Sequence, residues 1–175
     1  MAIAGSTAST VTRVISVTKA LEAAAEYAAN DVLSETDTNT EGTCWTFEYA
    51  ARVNGGSGCI TTAAIISESE SVTPQITLYL FNATPTSELD DNAANTAPDS
   101  ADLAKFVGKI DFPSLESLGT TDSMATVTPN TPGGIPLEFK CASTSSSLFG
   151  IAVTRTVFTQ TAGDDLTIVL TVEQK

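Results

Sequence analysis

Thr43 to Ser67 reads TCWTFEYAARVNGGSGCITTAAIIS. Large side chains alternate in its first part, so an extended chain puts Trp45, Phe47 and Tyr49 on one face and Thr46 and Glu48 on the other. Asn54-Gly55-Gly56-Ser57-Gly58 then interrupts the run, because glycine takes positive φ without steric cost. Cys59 to Ser67 resumes as apolar and β-branched chain. Two strands about a glycine-rich break predict a hairpin over 43–67 and an antiparallel sheet.

The same punctuation recurs outward from this stretch. Thr10 to Lys19 is a β-branched run with partial alternation. Gln75 to Asn82 (QITLYLFN) is apolar on both faces at its far end, which predicts a central strand. Ala83 to Ala101 is polar and acidic with Pro85 and Pro98, and reads as a long surface loop. Asp99 or Ser100 is placed to cap a short helix over Ala101 to Phe106. Val107 to Phe112 reads as strand, and Pro113 to Pro132 as turns with short strands. Ile135 to Cys141 reads as a strand whose Pro136 favours an edge or an early position. Leu148 to Phe158 is a long strand, Ala162 to Asp165 a turn, and Leu166 to Val172 its hairpin partner. Ala20 to Glu35, rich in Ala, Glu and Leu, has the best helix propensity in the chain. Eight or so short strands at this spacing predict an all-β, single-domain antiparallel β-sandwich, jelly-roll-like, with one or two short helices. Residues 12–175 form that domain, and 1–11 an N-terminal arm.

Composition agrees. Of 175 residues, 28 are Thr and 17 Ser. Only 17% are charged, below the roughly 25% usual for globular domains, while 42% are hydrophobic, enough for a packed core. Eight Lys and Arg against 21 Asp and Glu give a net charge of −13 without any histidine. Missing histidine removes Ser-His-Asp, Cys-His and every His-ligated metal site. The negative charge argues against nucleic acid and anionic membrane as partners, since binding them runs on dense Lys and Arg. No apolar run approaches the roughly 18 residues of a membrane span, and the start shows neither a basic nor an apolar signal region. Cys44, Cys59 and Cys141 are odd in number and widely spaced, and read as small buried hydrophobes of a protein made in a reducing compartment. A Cys44–Cys59 disulfide is the alternative. Asn82-Ala83-Thr84 matches a glycosylation sequon, which carries little weight without a signal peptide.

No catalytic, cofactor-binding or metal-ligating residue is assigned. Asp90, Asp91, Asn92, Asp99 and Asp102 offer oxygens to calcium, but their spacing lacks the central glycine and final glutamate of an EF-hand, so a solvated loop is the expectation. Glu48, near Trp45 and Tyr49, sits as some glycosidase acids do, yet no second carboxylate is specified. Gly55 to Gly58 lacks the Lys-Ser or Lys-Thr ending of a phosphate loop. Trp45, Phe47 and Tyr49 read as core before they read as a sugar platform, and Asp164-Asp165 as an ordinary turn.

Several ordered words carry a resemblance: Tyr27-Ala28-Ala29-Asn30-Asp31-Val32, Asn54-Gly55-Gly56-Ser57-Gly58-Cys59-Ile60, Leu78-Tyr79-Leu80-Phe81-Asn82, Asp91-Asn92-Ala93-Ala94, Ala101-Asp102-Leu103 and Val107 to Phe112. Spanning roughly residues 15 to 172, they resemble structural proteins of tailed bacteriophages, of the capsid decoration (cement) type. Cys59 departs from that pattern, where an aromatic is more usual. The resemblance implies extended structure rather than helix over Tyr27 to Ser34. It also implies a non-enzymatic virion protein on the capsid surface, made in the bacterial host cytoplasm, with the major capsid protein as partner and a homotrimer as oligomer. The other readings are a host- or glycan-binding module of a head fibre or tail and, further off, a small carbohydrate-active enzyme using Glu48.

Overall fold

The computed structural model describes residues 9–21, 26–35 and 42–175. Among them run eleven strands: β1 (Val11–Ala20), β2 (Val32–Leu33), β3 (Trp45–Phe47), β4 (Ser57–Ser67), β5 (Ile76–Phe81), β6 (Phe106–Phe112), β7 (Glu116–Ser117), β8 (Ser123–Val127), β9 (Leu137–Lys140), β10 (Leu148–Thr154) and β11 (Asp165–Gln174). They form two antiparallel sheets of a β-sandwich. The first is ordered β1-β11-β4-β8-β7, with β9 pairing the other end of β4. The second is ordered β2-β10-β5-β6, with β3 in line with β2 on the same side of β10.

Alternation explains how the sheets face each other. In β11, Leu166, Ile168, Leu170 and Val172 turn inward and are buried, while Thr167, Val169 and Thr171 turn out. Ile76, Leu78 and Leu80 of β5 and Ile110 of β6 meet them from the second sheet. Trp45 and Phe47 complete this core, and the Trp45 indole N–H donates to Leu33 O at 2.9 Å. Burying each large side chain contributes about 1.5–3 kcal/mol, which is what holds two sheets together without a disulfide.

The outer face of the second sheet is also apolar. Phe81, Ile151 and Val153 form a second cluster there with Ala97 and Leu89 of the long acidic segment. β5 is therefore central, as its sequence predicts, and its sheet is covered on both sides.

Three expectations are corrected. The 43–67 hairpin does not form: Trp45 lies opposite Gly150 and Phe47 opposite Leu148, whereas β4 pairs β11, β8 and β9 in the other sheet. Between them the chain crosses the sandwich, its corner filled by buried Ala50 and Ala51 and tied by Ala51 N to Ser146 O at 2.8 Å. Gly55, at φ +71°, donates its N–H to Ala142 O at 2.9 Å in that corner. Nor do β10 and β11 pair; β11 lies between β1 and β4. The third correction concerns helix. Ala101 to Phe106 holds a single 3-10 turn, Ser100–Asp102, capped by Asp99, whose side chain accepts from Ala101 N.

Ala20 to Glu35 likewise contains strand and turn where propensity favours helix. Tyr27 bridges Phe158 and stacks on its ring at 5.0 Å, and burial of that pair outweighs local preference. Residues 22–25 lie outside the described residues, as do 1–8 of the expected arm; Val11 already belongs to β1. Among the described residues, no helix is long and apolar enough to cross a membrane.

Candidate functional site

The acidic segment between β5 and β6 is built rather than merely solvated. Asp102 is fully buried and its carboxylate accepts from Thr86 N, Ser87 N and both hydroxyls at 2.8–3.1 Å. Lys105 Nζ adds an ion pair at 2.9 Å. Burial works against the charge on Asp102, but the bonds from Lys105, Ser87 and Thr86 outweigh it and hold the carboxyl down at about 2. Asp91 accepts from Tyr27 Oη at 2.7 Å and Ser34 N at 2.8 Å, Asp90 from Gly42 N at 2.9 Å, and Glu88 from Leu89 N and Asp90 N. These acids fasten the segment over the outer face of the second sheet. No group of three or more potential metal ligands is gathered among the described residues.

The aromatic run is divided by the corner. Trp45 and Phe47 are buried, but Tyr49 sits at φ +56° with 57% of its surface exposed. The left-handed backbone at Tyr49 ends the alternation and turns its ring outward, so the expected shared face of three aromatics is a face of two. Arg13 stacks on the Tyr49 ring at 5.2 Å.

Between β1 and the β3 corner lies an open groove of about 480 Å³, lined by Arg13 to Thr18, Thr46, Glu48 and Tyr49. It runs on past Val17 and Thr46 to Lys19, Glu35, Thr43 and Cys44. At that end Lys19 is buried: its ammonium pairs with Glu35, donates to Thr43 O and Thr43 Oγ1 at 2.8 Å, and lies 5.6 Å over Trp45. Burial pushes the Lys19 pKa down, the contacts with Glu35 only partly opposing it. Burial acts to raise Glu35, and the hydrogen bonds from Lys19 and Thr43 more than offset it, leaving that carboxyl below its usual range.

Gly55 to Gly58 leads into β4 rather than a helix, which removes the phosphate-loop geometry. Cys44, Cys59 and Cys141 are free and buried, as the sequence predicts; desolvation raises all three thiols, Cys44 to about 11. The roles of two groups are unequally legible in the sequence. Lys19 shares the inward parity of Ile15 and Val17, a signal that was present. Asp102 stands out only as one acid among several, because the Thr86 and Ser87 groups that bind it lie 15–16 residues away in irregular chain and only Lys105 is near in sequence.

No protein-family model and no curated protein sequence matches the chain. Among solved structures, one described as the Cyanophage Pam1 capsid asymmetric unit aligns over 100% of this chain and 93% of its own, at 14% identity and a TM-score of 0.33. At that score and identity, the likeness carries no role over to this chain.

Proposed function

We propose that this chain is a non-enzymatic virion protein that binds the outer surface of an icosahedral phage head and stabilises the shell as a decoration protein, with the major capsid protein as partner. One observation carries the reading beside the sequence resemblance: the two outer faces of the sandwich differ in chemistry. The first sheet presents Val14 and Ser16 of β1, Val169 and Thr171 of β11, and Thr62 and Ala64 of β4, a central row without charge in a chain of net charge −13, with Glu116, Glu138 and Glu173 at the margins of the same face. The second sheet is covered by the acidic segment. Such a difference suits a protein that lays the uncharged central row of one face on a shell and turns its acidic segment away from it and from packaged DNA. A clamp across capsomer seams raises the cost of separating them under internal pressure.

Gold-labelled antibody electron microscopy of virions tests this. Label spread over the head supports it; label confined to the tail, or none, overturns it. Exposed Tyr49 beside Glu48 and Arg13 favours the second reading, glycan binding by a head fibre or tail module. A defined glycan whose binding is lost in Tyr49→Ala would support that reading.

A further inference from the structure

β1 pairs with β11 along all ten of its residues, and among the described residues no strand pairs with its other side. The other sheet ends are protected. β7 has two residues, and β9 has four and follows Pro136. β2 and β3 are two and three residues long. β6 carries a register irregularity and the outward Lys109–Asp111 ion pair. β1 has no proline and no register shift, and its charges are engaged: Lys19 with Glu35, Arg13 over Tyr49. Val14 is 65% exposed and Val11 42%. An edge of that length with free N–H and C=O groups is a template for another strand.

We propose that β1 pairs antiparallel with β1 of a second copy of this chain, across a two-fold axis through Ile15, joining the two first sheets edge to edge. The sequence of β1 is self-complementary in this register. Val14 lies opposite Ser16 of the second copy, Thr12 opposite Thr18, and Arg13 opposite Val17. Inward residues stay inward and outward ones outward. Moving the axis to Ser16 sets Arg13 against Lys19 in both halves, and like charges directly opposite are unfavourable. Moving it to Val14 shortens the overlap. Charge also favours this edge: β1 itself holds two of the chain's eight cations and no acid, and of the acids beside it, Glu35 is paired with Lys19, while Glu48 lines the groove and Glu173 lies on β11. The contact is isologous and closes on itself. This pairing does not depend on the virion reading, and it differs from the trimer that the sequence resemblance implies.

Sedimentation equilibrium of the full chain tests it. The expected mass is twice the 18.1 kDa of one chain. The double variant Val14→Glu/Ser16→Glu, which sets acids opposite each other, weakens association by about 30-fold. Val14→Lys/Ser16→Glu, which sets each lysine opposite a glutamate of the other copy, restores it. Hydrogen exchange of the wild type gives a check without substitutions: amides within 11–19 gain protection as concentration rises. A monomer at all concentrations, a trimer, or a dimer indifferent to the paired acids overturns the proposal.

Discussion

Lys105 Nζ donates to Asp102 Oδ1 at 2.9 Å, and the carboxylate it meets is wholly removed from solvent. With the Thr86 and Ser87 amides on the same group, this pair pins the acidic segment to the second sheet.

Asp102→Asn keeps the shape and one accepting oxygen, but removes the charge and replaces the other acceptor with an amide donor. It is expected to cost about 3 kcal/mol at neutral pH, because it breaks a buried pair from one side. The folded carboxyl, at about 2, lies below its ordinary 3.8. Its contribution, about 2 kcal/mol, is therefore present in full above the unfolded value and lost as pH falls from about 4 through 2. Urea unfolding of wild type and variant from pH 7 to pH 2 should show a constant difference that shrinks only in that acid window. Hydrogen exchange should show the Thr86 and Ser87 amides opening first.

Lys19→Met leaves the Glu35 carboxylate without its cation. Glu35 is a third exposed, so the cost is about 2 kcal/mol rather than that of a fully buried pair. Adding Glu35→Leu should recover part of it, and the shortfall from additivity in a double-mutant cycle measures the coupling.

Phe47 and Tyr49, two residues apart, should respond oppositely to truncation. Phe47→Ala empties space between the sheets and is expected to cost about 4 kcal/mol. Tyr49→Gly relieves a left-handed backbone while losing the stacked Arg13, so its thermal midpoint should stay near that of wild type.

The thiols give a test of burial. With Cys44 held at about 11, only about one in a thousand is thiolate at pH 8. Ellman's reagent should find no fast-reacting cysteine in the native protein and all three in denaturant.

Strand positions were legible in the sequence because period-two patterning reports which residues can be buried on a pleated chain. Pairing was less so. Asn54 to Gly58 announces that the chain turns, but a turn back beside the same strand and a turn across to the facing sheet use the same glycines. What separates them here is the left-handed backbone at Tyr49 and the small Ala50 and Ala51 that fit beneath the corner. In the acidic segment the reverse held: the residues were singled out, but their role was hidden. Asp102 reads as a solvent-facing acid until amides distant in the chain are folded onto it. Lys19 is readable from its inward parity with Ile15 and Val17, which places a charged side chain on the buried face.

β11 joins β1 to β4, so residues 165–174 connect strands that precede them by about a hundred positions or more. During synthesis the first sheet cannot assemble when its earliest strand leaves the ribosome, since the strand that should lie beside it does not yet exist. The second sheet waits in turn for β10. Until both late strands arrive, β1 and β4 are apolar ribbons in need of shelter. Such a chain folds slowly, after release rather than during elongation, and depends on the cell to keep its unfinished copies apart.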